Sequence, residues 1–97
     1  MKANLYNTVG CVYSDANFSL VKKSLLINEE IPRHNHPDHT IVFTVVKGSV
    51  KLLINDVEEY TLSPGVVLKF EGENMLSAKA NEESEMFITL IRKVKDE

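Results

Sequence analysis

An antiparallel all-β barrel is the fold class this sequence predicts, and three observations predict it. Turn-forming residues punctuate the chain roughly every eight to twelve positions, the spacing of short strands. The segments between them are rich in Val, Ile, Thr, Leu and Phe, which suit a pleated, half-buried surface. The length of 97 residues, with 43% apolar and 26% charged of mixed sign, fits one small domain with a single core rather than a disordered chain.

The elements follow in order. Residues 1–17, "MKANLYNTVGCVYSDAN", hold β-prone pieces around Val9 to Tyr13. They predict an N-terminal strand or arm, either an edge strand or a segment exchanged with a dimer partner. The barrel is expected over 18–97, starting with a strand in "FSLVKKSLLI", Phe18 to Ile27. "IVFTVVKGSVKLLIN" is two β-branched runs around Lys47-Gly48 and reads as a tight hairpin. "NDVEE", Asn55 to Glu59, is a second turn, entered by residues that tolerate positive φ. In Ser63-Pro64-Gly65 the proline sets the first turn position and the glycine supplies positive φ, as a type II turn requires. Tyr60 reads as a strand residue packing its ring. "EGEN", Glu71 to Asn74, is a further loop.

One segment reads two ways. In "SEMFITLIRKV" the residues Met86, Phe87, Leu90, Ile91 and Val94 match a helical stripe, with Arg92, Lys93 and Lys95 near its C-terminus. Phe87, Ile88, Thr89 and Ile91 equally suit a strand buried on both faces. A strand is preferred, because the preceding strands need a closing partner and an open barrel exposes an edge.

Charge and cysteine usage narrow the functional classes. A net charge of −3 argues against nucleic acid, whose binders show a basic stripe. The lysine pair Lys22-Lys23 reads as matched by Glu29-Glu30. The single cysteine, Cys11, allows no internal disulfide, fits a reducing cytoplasmic setting and reads as a small buried hydrophobe. The N-terminus shows no signal-peptide core, and no apolar run approaches the roughly 20 residues that span a bilayer. Neither a phosphate-binding glycine loop nor a nucleophile elbow is present.

All three histidines fall in "RHNHPDHTI", as His34, His36 and His39. Residues two apart on a strand face the same side, so His34 and His36 can present imidazoles to one point. That is a metal-site spacing. His39 faces the other way by strict alternation, unless His36-Pro37-Asp38-His39 forms a turn that swings it back. The plainer reading makes His39 an exposed turn residue, Asp38 the cap of its own turn, and Glu71 and Glu73 a solvated loop near the barrel mouth.

The chain resembles the small single-domain cupins over roughly residues 18–93. Their first motif, G-x5-H-x-H-x3,4-E-x6-G, is matched by His34, His36 and Gly48. Ile41 stands in the glutamate slot and Asn28 in that of the first glycine. Their second motif, G-x5-P-x-G-x2-H-x3-N, is matched at Gly65. Glu71 stands where proline is expected and Leu76, or its neighbour Met75, where histidine is. The resemblance implies an antiparallel jelly-roll-like β-barrel, commonly dimeric, whose relatives often hold one metal through three histidines and a glutamate. This sequence keeps two of those four positions.

In that register the expected ligand pocket is His34, His36, Ile41, Phe43 and Leu76. A metal would rest on His34 and His36, with His39 as a third ligand. Imidazole preference favours Ni, Zn or Cu, with Fe as the fourth candidate, although zinc and non-haem iron sites normally need a third ligand or a carboxylate. Three functions follow. The first is binding of a small molecule in the barrel pocket. The second is a metal-dependent isomerase, lyase or dioxygenase using His34 and His36. The third is a ligand-free structural dimer. Loss of the glutamate and the last histidine favours the first. Val42, Val46 and Phe87 are expected to point outward, and such an apolar patch predicts a twofold homodimer.

Overall fold

The protein folds as nine strands in two antiparallel sheets, in a computed structural model that describes residues 2–94. The strands are β1 (Gly10–Ser14), β2 (Phe18–Leu25), β3 (Glu30–His34), β4 (His39–Lys47), β5 (Val50–Ile54), β6 (Glu58–Leu62), β7 (Val67–Glu71), β8 (Leu76–Ala80) and β9 (Ser84–Arg92). One sheet runs β1-β2-β9-β4-β7 and the other β3-β8-β5-β6. Among the described residues no helix is long and apolar enough to cross a membrane.

Period-two burial builds the core. Ile41, Phe43 and Val45 are buried on β4, as are Val50, Leu52 and Ile54 on β5 and Leu76, Ala78 and Ala80 on β8. The inner faces of the two sheets meet, joining Phe43, Val45 and Met86 to Val50, Leu52 and Leu76. Each large side chain so buried contributes about 1.5–3 kcal/mol relative to exposure.

"SEMFITLIR" is a strand, and its central place explains its unbroken apolar run. β9 pairs with β2 on one side and β4 on the other, so both its faces are covered or half covered. Lys95, part of the alternative helical reading, lies outside the described residues. The N-terminal segment holds β1, an edge strand paired with β2.

Turn chemistry follows the residues named above in two places. Asn55 and Asp56 both take positive φ (54° and 60°), closing the β5–β6 hairpin with a bond from Val57 N–H to the Ile54 carbonyl. Gly65 takes φ +94°, and Val66 N–H donates to the Ser63 carbonyl, completing the turn after Pro64.

Two expectations are corrected. Lys47-Gly48 does not close a hairpin: β4 belongs to the larger sheet and β5 to the smaller, so the segment crosses between sheets. Gly48 takes φ +86°, and a Cβ there would run into the Ser84 hydroxyl and the Glu83 carbonyl. The buried Ser84 Oγ accepts from Ser49 N–H at 3.0 Å and lies 2.8 Å from the Glu82 carbonyl, pinning the crossing to the start of β9. Cys11 is exposed rather than buried, because β1 is a short edge strand with nothing packed outside it.

Candidate functional site

A bulge sets the histidines. On β3, Ile31 pairs with Ala78 and His34 with Leu76, so three steps along β3 match two along β8. In a regular strand Ile31 and His34 would face opposite sides. The extra residue brings both to the inner side, where they line one cavity. Pro32 and Arg33, which span the irregularity, are exposed, and Arg33 Nε reaches Asp56 at 2.8 Å. Proline fits here because it has no N–H to give to the ladder.

His36 lies beyond the end of β3. Its N–H donates to the Gly72 carbonyl at 2.8 Å, and Gly72 N–H donates to the His39 carbonyl at 2.7 Å. Gly72 is buried, and a Cβ there would collide with the His36 and His39 carbonyl oxygens. The β7–β8 loop thus presses directly onto the histidine segment. The rings of His34 and His36 meet edge to face, their centroids 4.8 Å apart. His34 Nδ1 lies 2.8 Å from the Pro32 carbonyl, so it donates there and leaves Nε2 as the free acceptor. Burial holds the half-buried His36 ring below its ordinary pKa, helped by its neighbours His34 and His39.

Pro37 and Asp38 form a turn in which Asp38 takes φ +66°. His39 opens β4, but its Nδ1 folds back onto the Pro37 carbonyl at 2.9 Å and the ring does not line the cavity. The Asp38 carboxylate does not cap this turn. Its backbone N–H is instead bound by Glu73 Oε2 at 2.8 Å, and its contribution is the positive φ. Glu71 and Glu73 are likewise not free loop carboxylates. Both grip Lys93, at 2.8 and 2.6 Å, and the Lys93 ammonium holds both carboxyl groups below the usual range. Neither reaches the cavity.

The cavity holding the two imidazoles has a volume of about 160 Å³. It opens between β2 and β9 of one sheet and β3 and β8 of the other, with Val21, Ile31, Leu76, Ile88 and Leu90 as its apolar wall. Leu76 stands directly across the ladder from His34. Ile41 and Phe43 do not line the cavity. They are 1% and 0% exposed, buried in the core, whereas the cavity lies on the β2–β9 side of the sheet. Their cross-strand partners on β9, Leu90 and Ile88, take the wall positions instead.

Sequence reading missed Lys23, which also lines this cavity. Lys22 points outward, where its partner is Glu85 at 3.5 Å rather than Glu29 or Glu30. Glu29 instead accepts the Leu26 N–H. The alternation Val21-Lys23-Leu25, two apolar inward positions flanking a lysine, was the available signal.

These residues do not fit a resident metal. The cavity offers two imidazoles and an ammonium but no carboxylate. Among the described residues no three His, Cys, Asp or Glu side chains come together in a group able to hold an ion.

No family model matches the sequence, and neither does any curated protein. Solved structures do match. An RmlC-like cupin from Desulfovibrio desulfuricans is similar at a TM-score of 0.80 and 16% identity, over 97% of this chain and 93% of that one. An RmlC-like cupin with a double-stranded β-helix fold from Methanocaldococcus jannaschii gives 0.77 and 17%, over 95% and 93%. KdgF from Halomonas sp. gives 0.75 and 21%, over 96% and 89%.

Proposed function

We propose that this chain, which has the cupin fold, is a binding protein for a small molecule with an apolar body. The observation that carries the proposal is the composition of one cavity: five aliphatic side chains around two imidazoles and one lysine, with no carboxylate. Ligand pockets are mostly apolar with a few convergent polar groups that fix orientation. Here the body of the ligand lies against Leu76, Ile88 and Leu90. Its polar end meets His34 Nε2 and the neutral ring of His36. A cavity of about 160 Å³ takes a ligand portion of roughly six carbon atoms.

The metal-dependent enzyme reading lacks its third ligand and its carboxylate, and no reaction step is assigned to the site. The test combines elemental analysis of protein purified without a histidine tag with mass spectrometry of the molecules released on denaturation. A substoichiometric metal content together with a released small molecule supports the binding reading. One equivalent of a transition metal, lost in the His34→Ala/His36→Ala double variant, would replace it with the metal-dependent one.

A further inference from the structure

We infer that the cavity selects a small carboxylate: an anionic head held by Lys23 and a ring N–H of His36, with a short apolar tail against Leu76, Ile88 and Leu90. This rests on the binding reading above and adds the chemical class of the ligand.

Two lysines, Lys22 and Lys23, sit side by side on β2. Adjacent strand residues face opposite sides, so one lysine faces out and the other in. Lys22 has its carboxylate on the outer face, Glu85 at 3.5 Å. Lys23 is half-buried, lines the cavity and has no ion-pair partner among the described residues. Its flanking inward neighbours are Val21 and Leu25, and its cross-strand partner is Met86, which is 0% exposed. A half-buried lysine with no counter-charge of its own is open to a negative group brought by a ligand.

The rest of the cavity agrees in sign. Every polar side chain that lines it carries nitrogen: Lys23, His34 and His36. The loop carboxylates Glu71 and Glu73 are taken by Lys93 outside the cavity. A metal cation would face the ammonium with nothing to offset its charge. A neutral ligand would leave the ammonium unpaired. A carboxylate pairs with Lys23 and accepts from a ring N–H of His36, while the aliphatic wall takes the tail.

The test is a calorimetric or NMR titration of the full chain, in chelator, with hexanoate and with hexanamide. These share a tail and differ in the charge of the head. Hexanoate is expected to bind about tenfold more tightly or better, the scale of a charge-assisted bond. In Lys23→Met, which keeps most of the length of the side chain, the preference should fall to near unity. Lys23→Arg should retain it. Equal affinities in the native chain, or a preference that survives Lys23→Met, overturn the inference but leave the cavity reading standing. If neither probe perturbs Val21, Leu76, Ile88 or Leu90, both fall together.

Discussion

His36 sits where the apolar wall of the cavity meets the loop supported by Gly72, and burial favours its neutral ring. The sign of the pH effect follows. The folded pKa lies below the ordinary value of 6.5, so the unfolded chain binds the proton more readily. The stabilisation is present above that value and is lost as pH falls through the folded one. The groups around the ring are His34, His39 and Lys23, all cationic when protonated, and none opposes this sign. Denaturant midpoints at about pH 7.5 and 5.5 should show a loss on acidification. His36→Gln should shrink that loss; an identical loss in the variant contradicts the assignment. Residue-scale chemistry was partly legible in the sequence. The H-x-H spacing placed two imidazoles in one cavity, and Asn28 takes φ 69° where the resembled motif has glycine. The role of Lys23 was harder to read, because a lysine pair beside a glutamate pair suggests surface pairing when only composition is weighed.

Among the elements, β3 and the β7–β8 loop position the site, and neither could be read from pattern alone. A bulge leaves little trace in sequence beyond Pro32, yet it decides that Ile31 and His34 share a face. Gly72 is the second such feature. It reads as a turn residue, but its necessity is steric: the loop lies against the His36 and His39 carbonyls with no room for a side chain. Gly72→Ala should therefore destabilise by about 1–3 kcal/mol, as overpacking does, and weaken ligand binding with it. Thermal melts and the hexanamide titration measure the two effects. A variant with unchanged melting and unchanged binding would show that the loop yields freely. The strand run of β9 and the Asn55-Asp56 and Pro64-Gly65 turns were legible because they depend on local residue chemistry. The β4–β5 connection was not. The same Lys-Gly step serves a hairpin or a crossing between sheets, and only packing against Ser84 separates them.

At the scale of the whole molecule, the outer face of the five-stranded sheet is the surface left to explain. Phe18 and Ile91 pair on it, Leu20 with Thr89 and Lys22 with Phe87, and β4 continues the face with Val42 and Thr44. Ile91 and Val46 are 40% and 48% exposed, and among the described residues no helix covers the sheet. Such a face on a two-sheet sandwich predicts association, and a twofold dimer is the commonest closed form. Sedimentation at micromolar concentration should give about twice the chain mass of 11.0 kDa, reverting to one chain in Phe87→Glu. A native chain that sediments as a monomer contradicts this. All-β architecture was legible from spacing because strand period and turn residues act locally. The wall of the site was not, because which β4 and β9 residues reach the opening depends on how the two sheets pack against each other. Ligand binding turns on that cavity. Methyl NMR of the full chain titrated with hexanamide tests it most directly. Saturable shifts confined to Val21, Ile31, Leu76, Ile88 and Leu90, with the rings of His34 and His36 following, are the predicted result. Shifts that cluster elsewhere, or none at saturating probe, would contradict it.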